Sequence, residues 1–315
     1  MATLHQLTTF VAVADTGSVR AAAERLVVTQ PAVSGALRAL QASLGVPLVE
    51  PEGRGLRLTE RGRIFATYAR RILLLLDEAR LLAAGSDDPT RGRVRIAAVT
   101  SASEHVLPGS LAVFRTRYPD VVVTLDVGNR DQVWSWMERG EADVALAGRP
   151  PAHDNLVVRG RCANELILVA APGLVAGHDD TSLVALGRWT WLLRELGSGT
   201  RATVDALLAG HEIAPPTLTL GSNGAVVAGA VAGLGVTLIS RAAVARQLAD
   251  GAVIEIPTAQ TPIHRPWHAV THRHMTPTTR LFVDHLVAPG SSRDIPRFER
   301  ARADSSGVTV AARSP

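Results

Sequence analysis

Residues 18–45 read SVRAAAERLVVTQPAVSGALRALQASLG, two short amphipathic helices with room between them only for a tight turn. Ser18 is a good N-cap for the first helix, in which Val19, Ala22, Ala23 and Leu26 recur at helical spacing. Thr29 caps the second. Pro31 falls in its first turn, where a missing N–H loses no partner, and Val33, Leu37, Leu40 and Leu44 form one inward stripe. Gln30, Ser34, Gly35 and Arg38 are left on an outer face that carries no acidic residue. Such a face suits close approach to a phosphate-lined groove, so the pair reads as a DNA-binding helix-turn-helix. The alternative is an ordinary helical hairpin, and the flanking segments argue against it.

Upstream, Leu4, Leu7, Phe10, Val11 and Val13 give a helix whose apolar side covers the pair. Downstream, PLVEPEGRGLRLT (47–59) reads as two short strands around Glu52-Gly53-Arg54-Gly55, a hairpin wing with Arg54 at its tip. A guanidinium there meets a phosphate or enters a minor groove, unless it is only a solvated turn residue. Between Gly17 and Arg71 nine arginines oppose four carboxylates, although the whole chain carries a net charge of only +4. A long helix follows, capped by Thr59 and running to about Ala84, before Gly85, Ser86 and Pro89. Phe65, Tyr68, Ile72, Leu75, Ala79 and Leu82 succeed one another at steps of three and four, a seam for a partner helix. Ala66, Ala69, Leu73 and Leu76 form a second stripe, placed to lie on the DNA-binding domain of the same or the other subunit.

From Arg93 the pattern changes to alternating strands and helices. RVRIAAV (93–99), VVVTLDV (121–127) and ADVALAG (142–148) are strands of a parallel βαβ sheet. Near Glu165, ELILVAAPG crosses into a second, similar unit containing WTWLLRE (189–195), TLTLG (217–221) and GVTLIS (235–240). RPWHAVTHR and a helix over 277–287 return to the first. Two α/β lobes joined by two crossings make a clamshell, whose ligand belongs in the crevice beyond the strand ends. Thr100, Ser101 and Ser103 follow the first strand; Ser198, Thr200 and Arg201 start a helix of the other lobe; Asn129, Arg149 and Asn223 end or follow strands on the same side. Each of these also fits a plain capping or turn role. Together, with two helix starts and two arginines, they favour an anionic metabolite such as a carboxylate or phosphate ester.

Other classes fare less well. His264, His268, His272 and His274 fall on a strand-like stretch with no Cys, Asp or Glu nearby, so no metal site is expected. GSGT (197–200) and GSNG (221–224) lack the G-x-S-x-G arrangement of a nucleophile elbow, and no catalytic set or cofactor motif stands out. Cys162 is the only cysteine, which excludes an internal disulfide; placed just before an apolar strand, it reads as a buried thiol. The chain shows neither the order of a signal peptide nor an apolar run long enough to cross a bilayer, so no membrane partner and a cytoplasmic location are expected. All 33 basic residues are Arg.

Taken together, FVAVADTGSVRAAAERLVVTQPAVSGALRALQASLG, GRGLRLTERG and the later markers YP (118–119), SGTR (198–201) and GLG (233–235) resemble the LysR-type transcriptional regulators over residues 1 to about 290. The resemblance implies an N-terminal winged helix-turn-helix, a long linker helix and a C-terminal bilobed α/β sensor of the periplasmic-binding-protein type. It implies a homodimer or dimer of dimers on an interrupted inverted repeat in double-stranded DNA, a small-molecule effector, and RNA polymerase as a further partner. By that match Thr29, Gln30, Pro31 and Ser34 read bases or contact phosphates, Arg54 makes the wing-tip contact, and Arg20 and Arg38 contact the backbone. Gln41 and Pro51 stand where the family commonly has glutamate and arginine. The expected domains are 1–58 (head), 59–90 (dimerising helix and hinge), 91–290 (sensor) and 291–315, an unstructured tail. Lobe I is expected over about 91–164 and 266–290, and lobe II over about 165–265. The alternative is a cytosolic small-molecule-binding protein or α/β enzyme with an idle helix-turn-helix-like region.

Overall fold

The computed structural model describes residues 2–53, 55–83, 88–152, 155–178, 180–288 and 298–301, with backbone alone at 71, 74, 77, 78 and 81–83. The chain divides into two compact units, residues 1–89 with 135–142 and residues 90–134 with 143–315.

In the first unit, α1 (Leu4–Thr16), α2 (Val19–Leu26) and α3 (Gln30–Leu44) precede a hairpin of β1 (Val49–Glu52) and β2 (Gly55–Leu58), then α4 (Glu60–Ala83). Hydroxyls set the helix starts. Thr3 and Gln6 form a capping box on α1, Ser18 and Thr29 cap α2 and α3, and the Thr59 hydroxyl accepts from the Gly62 N–H at 2.9 Å. Gly17 and Gly45 end α1 and α3 in the left-handed region, whereas α2 ends on Val27, also left-handed with φ 56°. The Val28 N–H then donates to Ala23 O at 3.0 Å, closing a Schellman turn two residues before α3 begins.

Phe10, Val13, Ala22, Val33, Leu37, Leu40 and Leu48 pack into one core with Ala66 and Ala69 of α4. The second stripe of the long helix therefore lies on the head of its own chain. Phe65 turns the same way, 5.5 Å between ring centroids from Phe10, which removes it from the expected seam. Tyr68, Ile72, Leu75 and Ala79 remain exposed, joined by Ile64, and the side chain of Leu82 lies outside the described residues. Asp15 of α1 ties the helices together, accepting from Arg25 of α2 at 3.1 Å and from Arg70 of α4.

The second unit opens with β3 (Arg93–Val99), α5 (Thr100–His105), α6 (Leu107–Arg117), β4 (Val122–Gly128), α7 (Arg130–Glu138, which runs across the division between the units), β5 (Val144–Ala147) and β6 (Leu156–Cys162). It crosses into β7 (Glu165–Ala170), α8 (Pro172–Val175), α9 (Leu183–Leu186), β8 (Trp191–Leu193), α10 (Gly199–Gly210), β9 (Thr217–Thr219), α11 (Asn223–Val231), β10 (Thr237–Ser240), α12 (Ala245–Ala249), β11 (Ile254–Glu255) and β12 (Ile263–His264). It returns through β13 (Trp267–His272), α13 (Pro277–Val287) and β14 (Glu299–Arg300).

Lobe I is a sheet in the order β14-β6-β13-β5-β3-β4, with β3 parallel to both β4 and β5 and the returning β13 antiparallel between β5 and β6. Val94, Ile96, Leu146, Phe114 and Phe282 form its core, buried between the sheet and helices α6 and α13. Lobe II differs from the expected copy of this plan. Only two residues separate β6 from β7, so β7 enters the second lobe as its central strand, and β10, β11 and β12 all pair with it antiparallel. Parallel pairing survives there in β8 with β9.

The tail also departs from expectation. Phe298 is buried in the lobe I core, and β14 pairs antiparallel with β6, Glu299 opposite Arg161. Gly160 permits this, since a Cβ there would come within 3.1 Å of the Phe298 Cβ. Residues 291–297 and 302–315 lie outside the described residues.

Candidate functional sites: a nucleic-acid face and a ligand cleft

Capping by Thr29 and burial of Val33, Leu37 and Leu40 fix which face of α3 points outward. Thr29, Gln30, Pro31 and Arg38 are exposed and Ser34 is half-buried, so the five residues form one continuous strip at the start of the helix. The Arg38 Nε donates to Ser34 O at 3.3 Å. Arg20, on α2, holds Glu24 at 3.0 Å, an exposed pair that a phosphate can displace at little cost. Arg54 lies outside the described residues. The hairpin that carries it is docked by the Leu56 N–H, which donates to Gly17 O at 2.8 Å. Gln41 does by its amide oxygen what a carboxylate would do, accepting from the N–H groups of Leu48 at 2.7 Å and Val49 at 3.3 Å. Its substitution for glutamate therefore leaves the recognition helix pinned to the wing. Pro51 sits exposed on the two-stranded hairpin, where proline is tolerated.

Between the two lobes lies a narrow cleft with a cavity volume of about 50 Å³, below the usual size of a small-ligand pocket. Six residues expected from the sequence line it: Thr100, Ser101, Asn129, Ser198, Thr200 and Asn223. Three others do not. The Ser103 hydroxyl turns onto Thr100 O at 2.8 Å. Arg149 is exposed one residue beyond the lining Gly148. Arg201 folds back along its helix to Asp205 at 2.8 Å and donates to Arg194 O at 3.2 Å. Its i,i+4 carboxylate, on the same helix face, captures the guanidinium before it can reach the cleft.

The positive charge of the cleft comes from elsewhere, from Arg130, Arg194 and Arg265, and among the described residues no carboxylate lines it. Arg194, 9% exposed, is clamped bidentately by Glu195 at 2.7 and 2.8 Å and donates to Asn223 Oδ1. Burial is the largest influence on Glu195 and opposes its ionisation, but the hydrogen bond and charge of Arg194, a backbone N–H and Asn129 together outweigh it and hold that carboxyl below its usual value. Arg265 stands in the second crossing between the lobes. Its N–H donates to Asn164 O at 2.8 Å, and the Asn164 amide returns a bond to Arg265 O at 2.9 Å, so the two crossings are stitched side by side. The guanidinium donates to Gly199 O. Burial first, and the charge of Arg130 second, push its pKa below the ordinary guanidinium value, although it stays cationic. The lobes also touch directly, through Asn129 Nδ2 to Leu196 O at 3.5 Å and the Asp131 N–H to Gly197 O at 3.3 Å.

Arg130 and Arg194 each follow the C-terminal end of a strand, the position that marks crevice residues in open α/β sheets. That signal was in the sequence and singled out their neighbours instead. Arg265 and Asn164 carried no local signal, because only the adjacency of two crossings a hundred residues apart makes them neighbours. Cys162 is buried as expected, and burial first, then Glu299, raises its thiol to about 11. Among the described residues no group of His, Cys, Asp and Glu is arranged to hold a metal ion.

A winged helix-turn-helix with a long following helix, on the same chain as a two-lobed α/β domain with a cationic cleft, defines a ligand-responsive DNA-binding regulator. Residues 4–63 match the bacterial regulatory helix-turn-helix protein of the lysR family, and residues 87–289 match the LysR substrate binding domain. The chain belongs to the LysR family of transcriptional regulators. It is 33% identical over 289 residues to the HTH-type transcriptional regulator CbbR of Rhodospirillum rubrum, covering 90% of this chain and 96% of that one. Among solved structures it is similar to full-length CbnR complexed with its target DNA, at 26% identity, TM-score 0.58, and coverage of 90% of this chain and 98% of that one. The CcmR regulatory domain of Synechocystis PCC6803 in complex with 2-PG is 28% identical, with TM-score 0.57, covering 62% of this chain and 95% of that one.

Proposed function

We propose that this regulator is switched by a small anionic metabolite, a phosphate ester or carboxylate, held in the cleft by Thr100, Ser101, Asn129, Ser198, Thr200 and Asn223 together with its arginines. The observation that carries this reading is a lining that, among the described residues, holds three arginines and no carboxylate. The 2-PG bound to the CcmR regulatory domain supports the same ligand class. A ligand acts by binding one lobe arrangement better than another, and the difference reaches the DNA-binding heads through the long helices.

The working unit in this reading is a homodimer or dimer of dimers joined along α4 and seated on an interrupted inverted repeat. Exposed Ile64, Tyr68, Ile72, Leu75 and Ala79 recur at steps of three and four, and a second copy of the helix is the partner that such spacing fits. Thr29, Gln30, Pro31 and Ser34 face bases or phosphates, with Arg20 and Arg38 on the backbone and Arg54 making the wing-tip contact. The protein acts in the cytoplasm through RNA polymerase and has no catalytic role.

Fluorescence anisotropy on the upstream region of its own gene, at several salt concentrations and with or without 2-phosphoglycolate, tests the reading. Binding that weakens steeply with salt and changes with the anion is expected. DNA affinity indifferent to 2-phosphoglycolate, phosphate and glycolate alike would refute the effector assignment. Ile72→Asp with Leu75→Asp is expected to convert a dimer into a monomer in sedimentation; an unchanged mass would refute the seam.

A further inference from the structure

The three arginines in the cleft are not neutralised alike. Arg194 has Glu195 on both of its forks. Arg130 has only Asp131 at 3.4 Å, on a carboxylate that is itself mostly exposed to water. For Arg265 no ion pair exists among the described residues, and the charge nearest in effect is the repelling Arg130. Its guanidinium is also wedged between two glycines, one from each lobe. A Cβ on Gly199 would lie 2.7 Å from the Arg265 Nη2, and one on Gly148 would lie 3.4 Å from the same nitrogen. Both backbones have been left bare where this side chain passes.

We propose that Arg265 is the specificity-determining charge of the cleft: an unneutralised guanidinium, seated between Gly148 and Gly199 at the crossing of the lobes, that selects a dianion bridging it to Arg130. This rests on the reading of the cleft as an anion site and names the charge it takes. A monoanion leaves one of the two cations facing the other. A dianion, such as a phosphate monoester or a dicarboxylate, neutralises both. Each cation reaches the ligand from a different part of the unit, Arg130 from the start of α7 in lobe I and Arg265 from the crossing between the lobes. Among the described residues the acceptor of the Arg265 guanidinium, Gly199 O, also accepts from the Thr203 hydroxyl at 3.0 Å. Removing the guanidinium therefore leaves no orphaned carbonyl.

An unusual pair of outcomes follows for one substitution. In Arg265→Gln the ligand-free protein is expected to melt a few degrees higher than wild type, because an uncompensated, partly desolvated charge is gone. The same variant is expected to lose the stabilisation that a dianion gives. The measurement is thermal unfolding of the full chain against 2-phosphoglycolate, inorganic phosphate and glycolate, at ionic strength matched with potassium chloride. Wild type should respond to the two phosphate-bearing anions, each of which can present a doubly charged phosphoryl group, at least tenfold more strongly than to glycolate, and Arg265→Gln should bind them at least tenfold more weakly. Arg265→Lys should recover part of the response. Arg149→Gln, which removes an equal charge outside the lining, should leave it intact.

A wild-type response retained undiminished in Arg265→Gln would overturn the assignment while leaving the anion cleft standing. A wild type that ignores all three anions would overturn the cleft reading and the dianion selectivity with it. In that case a raised melting temperature in Arg265→Gln would still report the unneutralised charge. Equal responses to glycolate and 2-phosphoglycolate would refute selection by charge.

Discussion

Val27 holds the turn of the helix-turn-helix in a conformation that a β-branched residue rarely adopts. Its φ is 56°, and its side chain is 89% exposed, so nothing is gained by burying it. A left-handed residue with a Cβ costs about 1–2 kcal/mol, and asparagine carries a smaller penalty because its short polar side chain bonds locally. Val27→Asn keeps the Schellman hydrogen bond from Val28 to Ala23 and gives up no packing, so the head should gain about 1 kcal/mol. Val27→Gly relieves the same strain but gives the unfolded chain extra freedom of about 0.4–1 kcal/mol, and should come out close to neutral. No tryptophan lies between residues 1 and 133, and hydrogen exchange of peptides covering residues 18–45 reports on the turn directly. A gain of about 1 kcal/mol slows exchange of the protected amides about fivefold. The expected order is Asn slowest, with Gly and Val nearly equal. Exchange in Val27→Asn that is unchanged or faster would show that the turn is not strained at this residue.

Asp15→Asn should lower the stability of the head by about 2 kcal/mol, since Arg70 is left mostly buried without its carboxylate; hydrogen exchange in α1 and α4 reads the loss. Gly62→Ala should cost about 2 kcal/mol and weaken DNA binding, because the new Cβ would collide with the backbone carbonyl of Leu48 where the wing meets α4; a wild-type melting curve would contradict that close approach. His268 is pushed below its ordinary value of 6.5 by burial first and by Arg161 second. The unfolded chain therefore takes up this proton more readily than the folded one. Stability contributed by neutral His268 is present above pH ~6.5 and is lost as the pH falls through that value. In His268→Gln the drop in sensor-domain stability between pH 7 and 5 should be smaller than in wild type, measured by tryptophan fluorescence in urea.

The head was largely legible from the chain because its determinants are local. Hydroxyl caps at Ser18, Thr29 and Thr59, the apolar spacing of Val33, Leu37 and Leu40, and the Glu52–Gly55 turn each act within a few residues, and the structure uses them as they read. Phe65 shows where this stops. Its spacing fits the exposed seam and the buried stripe equally well, and only the nearby ring of Phe10 decides between them. The tail shows the same limit: Phe298 lies in a mostly polar stretch, and its burial needs the bare backbone of Gly160 far upstream.

For the cleft, the chain by itself determined the class of chemistry: hydroxyls and amides at strand and helix ends, with arginine in place of every lysine in the sequence. Which arginines serve was a tertiary matter. Arg201 is held by its own helix neighbour Asp205, a local pairing that outcompetes the cleft, while Arg265 is placed by the meeting of two crossings with no sequence proximity. Local hydrogen bonds and periodicity are written in short windows and can be read there. The neutralisation of a charge depends on every group that folding brings within a few ångströms, so only the folded chain settles it.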